Sequence, residues 1–167
     1  MVLNFIMASG CNAAFSRNLD FTYRRIWHMN PAYEVSVDVV SSIDDLRKFK
    51  DQMIEDYMDQ MESIFGDVFT RVPPSDVFRG ALDDYTEDFF EENYLVLVSF
   101  SDGSVCINHR VERVRANGYI RIAYIIPPRG YPLLAAGAQW LIIIELSNDY
   151  IPEEFNVNFV RRQERRN

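Results

Sequence analysis

The sequence predicts an α+β protein, and three observations carry that expectation. Residues 43–64 place apolar side chains at three- and four-residue steps. Residues 94–126 and 139–160 are dominated by short apolar or alternating runs. The helical stretches precede these runs instead of alternating with them, which points to an antiparallel sheet. The expected architecture is a sheet of five or six strands packed on one face by a long helix over 42–64, with a second, short acidic helix. At 167 residues and 48% hydrophobic, the chain is long enough for one core, so 1–167 is expected to be a single domain. Within it, 1–17 is expected to be irregular and 161–167 a basic tail.

Each element has its own signature. After Pro31, Tyr33, Val35, Val37 and Val39 alternate with Glu34, Ser36 and Asp38, the pattern of a half-buried strand. Ser41 or Ser42 then caps the long helix, with Asp44 and Asp45 in its first turn and Ile43, Leu46, Phe49, Met53, Tyr57, Met61 and Ile64 on one face. The Met53, Met58 and Met61 stripe fits core packing on that face. Gly66, Pro73 and Pro74 break the helix, and "ALDDYTEDFFEEN" follows at 81–93. "YLVLVSF" (94–100) and "QWLIIIEL" (139–146) read as buried strands. Residues 104–115 and 119–126 flank "RANG" as a hairpin that sets Val105, Ile107 and Val111 on the face of Ile120, Ile122 and Ile126. A four-residue loop there would also bring Glu112 opposite Arg121. "IPPRGYP" is a rigid loop, and "EFNVNFV" alternates as a last strand.

Charge and composition exclude several functions. Seventeen Lys and Arg against twenty-five Asp and Glu give a formal charge of −8, which opposes general affinity for nucleic acid or anionic membrane. No run approaches the roughly 20 apolar residues of a membrane helix. Cys11 and Cys106 lack metal-type spacing and read as reduced thiols, which places the chain in the cytoplasm. "FIMASGCN" is similar to a lipoprotein cleavage site at Cys11, but no basic residue and only ten residues precede the cysteine. "CNAAFSRNLDF" resembles the N-terminal-nucleophile amide hydrolases, which would require ten residues to be removed to free Cys11.

Conventional catalytic signals are absent from the sequence. Phosphate-loop, dinucleotide, nucleophile-elbow and zincin motifs do not occur. Cys106 and His109 lie three apart, on opposite faces if both sit on one strand, and His28 has no carboxylate in reach by sequence. The acidic block has no glycine for a calcium loop, so no metal and no cofactor are expected. As one helix it would stack like charges at Asp84 and Asp88 and at Glu87 and Glu91, which calls for compensation by packing or by an electropositive partner.

Three segments, "YTEDFFEENYLVLVSF", "GSVCINHRVERV" and "QWLIIIEL", together with "VSVDVVSSIDDLRKF", resemble the small bacterial domains related to the C-terminal domain of the PrcB protease-complex subunit. The resemblance spans about residues 33–160 and implies a β-rich interaction module without established catalytic residues. It implies that Tyr85, Phe89 and Phe90 seat the short helix on the sheet and that Trp140–Glu145 forms a central strand. "PPRGYPLL" stands where relatives carry a Gly-rich loop.

The functional expectation is a non-enzymatic acidic module that occupies a basic surface on a protein partner such as a nucleic-acid-handling enzyme. By analogy of size and charge, anti-CRISPR inhibitors are one class of this kind. Its candidate contact residues are Asp83, Asp84, Glu87, Asp88, Glu91 and Glu92, followed by Asp51, Glu55, Asp59 and Glu62. Arg161, Arg162, Arg165 and Arg166 form the one cluster able to touch nucleic acid directly. The alternative expectation is a PrcB-like accessory or scaffold protein of a bacterial protease or envelope complex.

Overall fold

A computed structural model of the chain describes residues 17–28, 35–65, 76–104, 106–128 and 138–164. Cys11, Tyr33, Glu34, Val105, the loop through 129–137, Arg165 and Arg166 lie outside the described residues, as do the side chains of His28, Met61 and Ile64. In chain order the elements are β1 (Thr22–His28), β2 (Ser36–Val40), α1 (Ile43–Phe65), α2 (Asp76–Asp83), α3 (Glu87–Glu92), β3 (Asn93–Asp102), β4 (Asn108–Val114), β5 (Tyr119–Ile126), β6 (Ala138–Ser147) and β7 (Asn156–Gln163). The class is α+β and strand-rich.

Instead of one sheet of five or six strands, the described residues form seven strands in two sheets. The first has the order β1-β6-β3-β2 and is antiparallel throughout; the second has the order β4-β5-β7, with β5 and β7 parallel. The apolar runs of β3 and β6 explain the difference. A strand with hydrophobic side chains on both faces must be covered on both. Tyr94, Val96, Val98 and Phe100 join Trp140, Ile142 and Ile144 in a core shared with Val111, Val114, Ile120 and Ile122 of the second sheet. The intervening Leu95, Leu97, Leu141 and Ile143 join Leu46, Leu82, Tyr85 and Phe90 in a second core under the helices. The result is three layers: helices, first sheet, second sheet.

β1 escapes the sequence reading because "TYRRIWH" does not alternate cleanly. It is an edge strand, held by seven residue pairings to β6, and its arginines reach around the sheet margin. β7 runs through Arg161 and Arg162 to Gln163, so the expected basic tail is in part a strand.

At the start of α1, local chemistry follows the sequence closely. Ser42 caps α1, its hydroxyl accepting the Asp45 N–H at 3.1 Å and donating to the Asp45 carboxylate at 2.7 Å. The acidic block is not one helix. It breaks at Asp84–Thr86 into α2 and α3, so Asp84 and Asp88 do not stack as helical neighbours. In the hairpin, Gly118 takes φ of 77°, and a Cβ there would overlap the Glu154 carbonyl oxygen. A bulge at Glu112 then shifts the register, so that Arg113, not Glu112, faces Arg121.

One polar network fastens the helix layer to the sheet. The Tyr85 hydroxyl donates to Glu145 Oε1 at 2.7 Å, and the Thr22 hydroxyl donates to Oε2 at 2.6 Å. The Arg24 guanidinium lies 5.0 Å from the centre of the Tyr85 ring and pairs with Asp84 at 2.7 Å and with Glu145 at 3.5 Å. Burial, followed by the bond to Glu145, pushes the Tyr85 phenol well above its ordinary range. Burial would raise the Glu145 carboxyl, but the Thr22, Tyr85 and Arg24 donors outweigh it and hold the group low. Tyr85→Phe therefore leaves the ring packed and removes one bond to a partly buried charge. Urea unfolding should show a loss of about 1.5–3 kcal/mol, and an unchanged midpoint would mean that the bond contributes nothing.

Candidate functional site

The predicted contact residues fall in the helix layer, on the sides turned away from the core. On α1, Leu46, Met53 and Tyr57 lie along the inward stripe, while Asp51, Glu55, Asp59 and Glu62 are exposed about half a turn away. On α3, Phe90 is buried and Phe89 half-buried, and Glu87, Asp88, Glu91 and Glu92 are exposed. The rings of Tyr85, Phe89 and Phe90 pack together, with centroids 4.8 Å apart between the first two and 5.2 Å between the last two. The aromatic half of the acidic block is therefore structural.

Its carboxylates divide into two sets. Asp83 pairs with Lys50 of α1, and Asp84 pairs with Arg24 of β1, so these two fasten the α2–α3 turn to its neighbours. The eight others, Glu87, Asp88, Glu91 and Glu92 with Asp51, Glu55, Asp59 and Glu62, make no side-chain hydrogen bond or ion pair among the described residues. Residues 43–65 and 76–92 together carry fourteen carboxylates against four basic residues. The field over this layer is strongly negative.

A second feature was not legible in the sequence: His109 and Asp102. β3 ends in the first sheet and β4 begins in the second, and the crossing between them brings the two side chains together in the inter-sheet space. His109 Nε2 lies 3.0 Å from Asp102 Oδ2. Rings of Phe100, Tyr124 and Trp140 surround the imidazole with centroids at 4.8, 5.0 and 5.2 Å. The imidazole is fully enclosed, and its Nδ1 has no hydrogen-bond partner among the described residues. Arg25, lying 4.8 Å from the centre of the Trp140 ring and donating to Asn108, closes this end of the sandwich.

Burial, opposed by the Asp102 carboxylate, pushes the imidazole down to about 4. The neutral ring then donates its Nε2–H to Asp102. Among the described residues no hydrogen bond joins the enclosed imidazole to Cys106, which sits in a turn before β4 and not on a strand. The pair closes this end of the core.

At the other end of the sandwich a cavity of about 350 Å³ is lined by Arg17, Leu19, Asp20, Leu146, Asp149 and Tyr150, among others. Its lining includes no histidine or cysteine. Among the described residues no group of three His, Cys, Asp or Glu side chains is placed to hold a metal ion. No described helix is long and apolar enough to cross a membrane.

Comparisons with protein-family models, with curated proteins and with solved structures return no match to the chain.

The His109 environment has a pH consequence. Because the folded-state pKa lies below the value of about 6.5 expected in the unfolded chain, the unfolded state binds the extra proton first. Stability is therefore full above pH ~6.5 and declines as pH falls toward the folded value. His109→Gln, which keeps a donor toward Asp102 but does not titrate, should flatten thermal stability between pH 6.5 and about 4.5 relative to the parent. Parallel melting curves for the two proteins across that window would contradict the assignment.

Proposed function

We propose that the chain is a non-enzymatic binding module whose acidic helix layer occupies a basic surface on a macromolecular partner. The observation that carries this reading is that eight exposed carboxylates of α1 and α3 take no part in the described ion-pair and hydrogen-bond networks, while the apolar sides of the same helices build the core. Like charges at this density repel one another and oppose the compact state, so the fold by itself gives no reason to hold them.

Carboxylates four residues apart on a helix repeat about every 6 Å. That is close to the axial advance of two nucleotides in one DNA strand, about 6.8 Å. A surface of lysines and arginines arranged for a phosphate backbone therefore meets a comparable series of negative charges. A nucleic-acid-handling enzyme is the partner class that fits, and the module acts as a cytoplasmic decoy, comparable with anti-CRISPR inhibitors in size and charge. Electrostatic complementarity of this kind acts mainly on association rate and specificity, so binding is salt-sensitive.

A second reading, a PrcB-like scaffold protein, is favoured by one contact. The Tyr85–Glu145 bond joins two of the segments on which that resemblance rests. Amino-terminal sequencing of the native protein separates the two readings: cleavage before Cys11 favours the scaffold, and an intact start favours the cytoplasmic decoy.

Reversing charge at Glu87, Asp88 and Glu91 together tests the first reading without touching the Asp83 and Asp84 ion pairs. Pull-down from the native cell should lose its salt-sensitive basic partner, at least tenfold in captured amount, while the melting temperature moves by only a few degrees. Equal capture by the triple variant would end the proposal.

A further inference from the structure

The outer face of the second sheet is the electrical opposite of the helix layer. β4, β5 and β7 carry five arginines and one carboxylate. Strand register sets Arg110, Arg113, Arg121 and Arg162 on the side turned away from the core, since their neighbours Val111, Val114, Ile120, Ile122 and Phe159 all point inward. No described element packs over them. Arg115 lies beside this face, its guanidinium 5.5 Å from the centre of the Tyr119 ring.

The charges on this face are not balanced within the described part of the molecule. Glu112 accepts from Arg162 at 3.1 and 3.2 Å, with Arg110 at 3.4 Å, so its carboxylate is fully engaged. Arg113 and Arg121 are direct cross-strand partners, an arrangement that places like charge against like charge. Neither makes an ion pair among the described residues, and the buried Nε of Arg121 and of Arg115 have no hydrogen-bond partner there. Glu154 and Glu164 lie only at the two ends of the sheet, near Gly118 and Ile126. In a chain with twenty-five carboxylates, an arginine face with a single engaged acid is a surface short of its anion.

We propose that this face docks the helix layer of a second copy of the chain, giving a head-to-tail contact between the arginines of one molecule and the exposed carboxylates of α1 and α3 of the next. The proposal rests on the reading of that helix layer as a binding face, and it names a partner for it.

Charge complementarity carries the choice, because both halves of the contact are present on one molecule, on its two outer layers. Arg113 and Arg121, paired on neighbouring strands about 4.8 Å apart, lie at a spacing close to the repeat of about 6 Å of the carboxylates along α1, so the two sets can meet. The three-strand face measures roughly 14 by 26 Å, about half of the area per partner in a stable complex. The contact is accordingly weak, concentration-dependent and weakened by salt. Being heterologous, it adds copies in a row unless its rotation closes a ring. A basic partner and a second copy would compete for the same carboxylates.

Mass measurement by sedimentation or light scattering, with two complementary variants, tests this. Arg113→Gln with Arg121→Gln disables the sheet face. Glu87→Gln, Asp88→Asn and Glu91→Gln disable the helix face. The parent chain should rise above 19.5 kDa with concentration at low salt and return to it at high salt. Each variant alone should stay at the monomer mass, and an equimolar mixture should form a one-to-one dimer through the faces left intact. Far-ultraviolet spectra and melting curves confirm that both variants fold. A parent chain that stays monomeric, variants that associate alone, or a mixture that stays monomeric overturns the proposal. Binding of a single-stranded oligonucleotide by the monomer, lost in the arginine variant, also overturns it by giving the face to nucleic acid. Capture of a basic partner by a strictly monomeric parent leaves the acidic-face reading standing while removing this one.

Discussion

The pairing of β3 with β6 is the constraint on which the rest of the molecule depends. Ten residue pairs join these strands, and their side chains are apolar on both faces of the sheet. Neither face can be left to water, so one layer must be supplied from each side. The helices cover Leu95, Leu97, Leu141 and Ile143, and the strands of the second sheet cover Val96, Val98, Ile142 and Ile144. Most of the charged side chains are displaced to the two outer surfaces or to the ends of the sandwich.

That displacement separates charge as well as polarity. The helix layer collects carboxylates because its inward stripes are filled by Leu46, Tyr57, Leu82 and Phe90, leaving only outward positions for ionised groups. The second sheet collects arginines because its inward positions are filled by Val111, Ile120, Ile122 and Phe159. A net charge of −8 is thus an average over two surfaces of opposite sign. At physiological ionic strength the screening length is about 8 Å, shorter than the distance across the three layers, with sheets alone packing about 10 Å apart. Each surface therefore presents its own field to a partner.

Glu145 and His109 are fixed by bonds across the layers. Glu145 stays ionised within an interior strand because Thr22, Tyr85 and Arg24 converge on it from β1 and from the α2–α3 turn. His109 stays neutral because three rings enclose it, and among the described residues Asp102 alone hydrogen-bonds it. Both side chains are held by partners distant in the chain or on another element, so their environment exists only once the layers have closed.

The sequence by itself determined the elements whose signal is local. The long helix over 42–64 was legible from its three- and four-residue steps and its serine cap, and the buried strands at 94–100 and 139–146 from their uninterrupted apolar runs. The hairpin around Gly118 was legible from its turn. Tyr85, Phe89 and Phe90 could be separated from the neighbouring carboxylates, because aromatic rings must be buried and carboxylates resist burial. The tertiary structure alone decided the split into two sheets, the edge strand β1 without a period, and the break at Asp84–Thr86. It also decided that a bulge at Glu112 sets Arg113 against Arg121 and that Asp83 and Asp84 are bound to Lys50 and Arg24. Each of these depends on which residues meet across layers. Periodicity records the face on which a side chain lies but not the element it will find there, and that partner is what separates a free charge from a paired one.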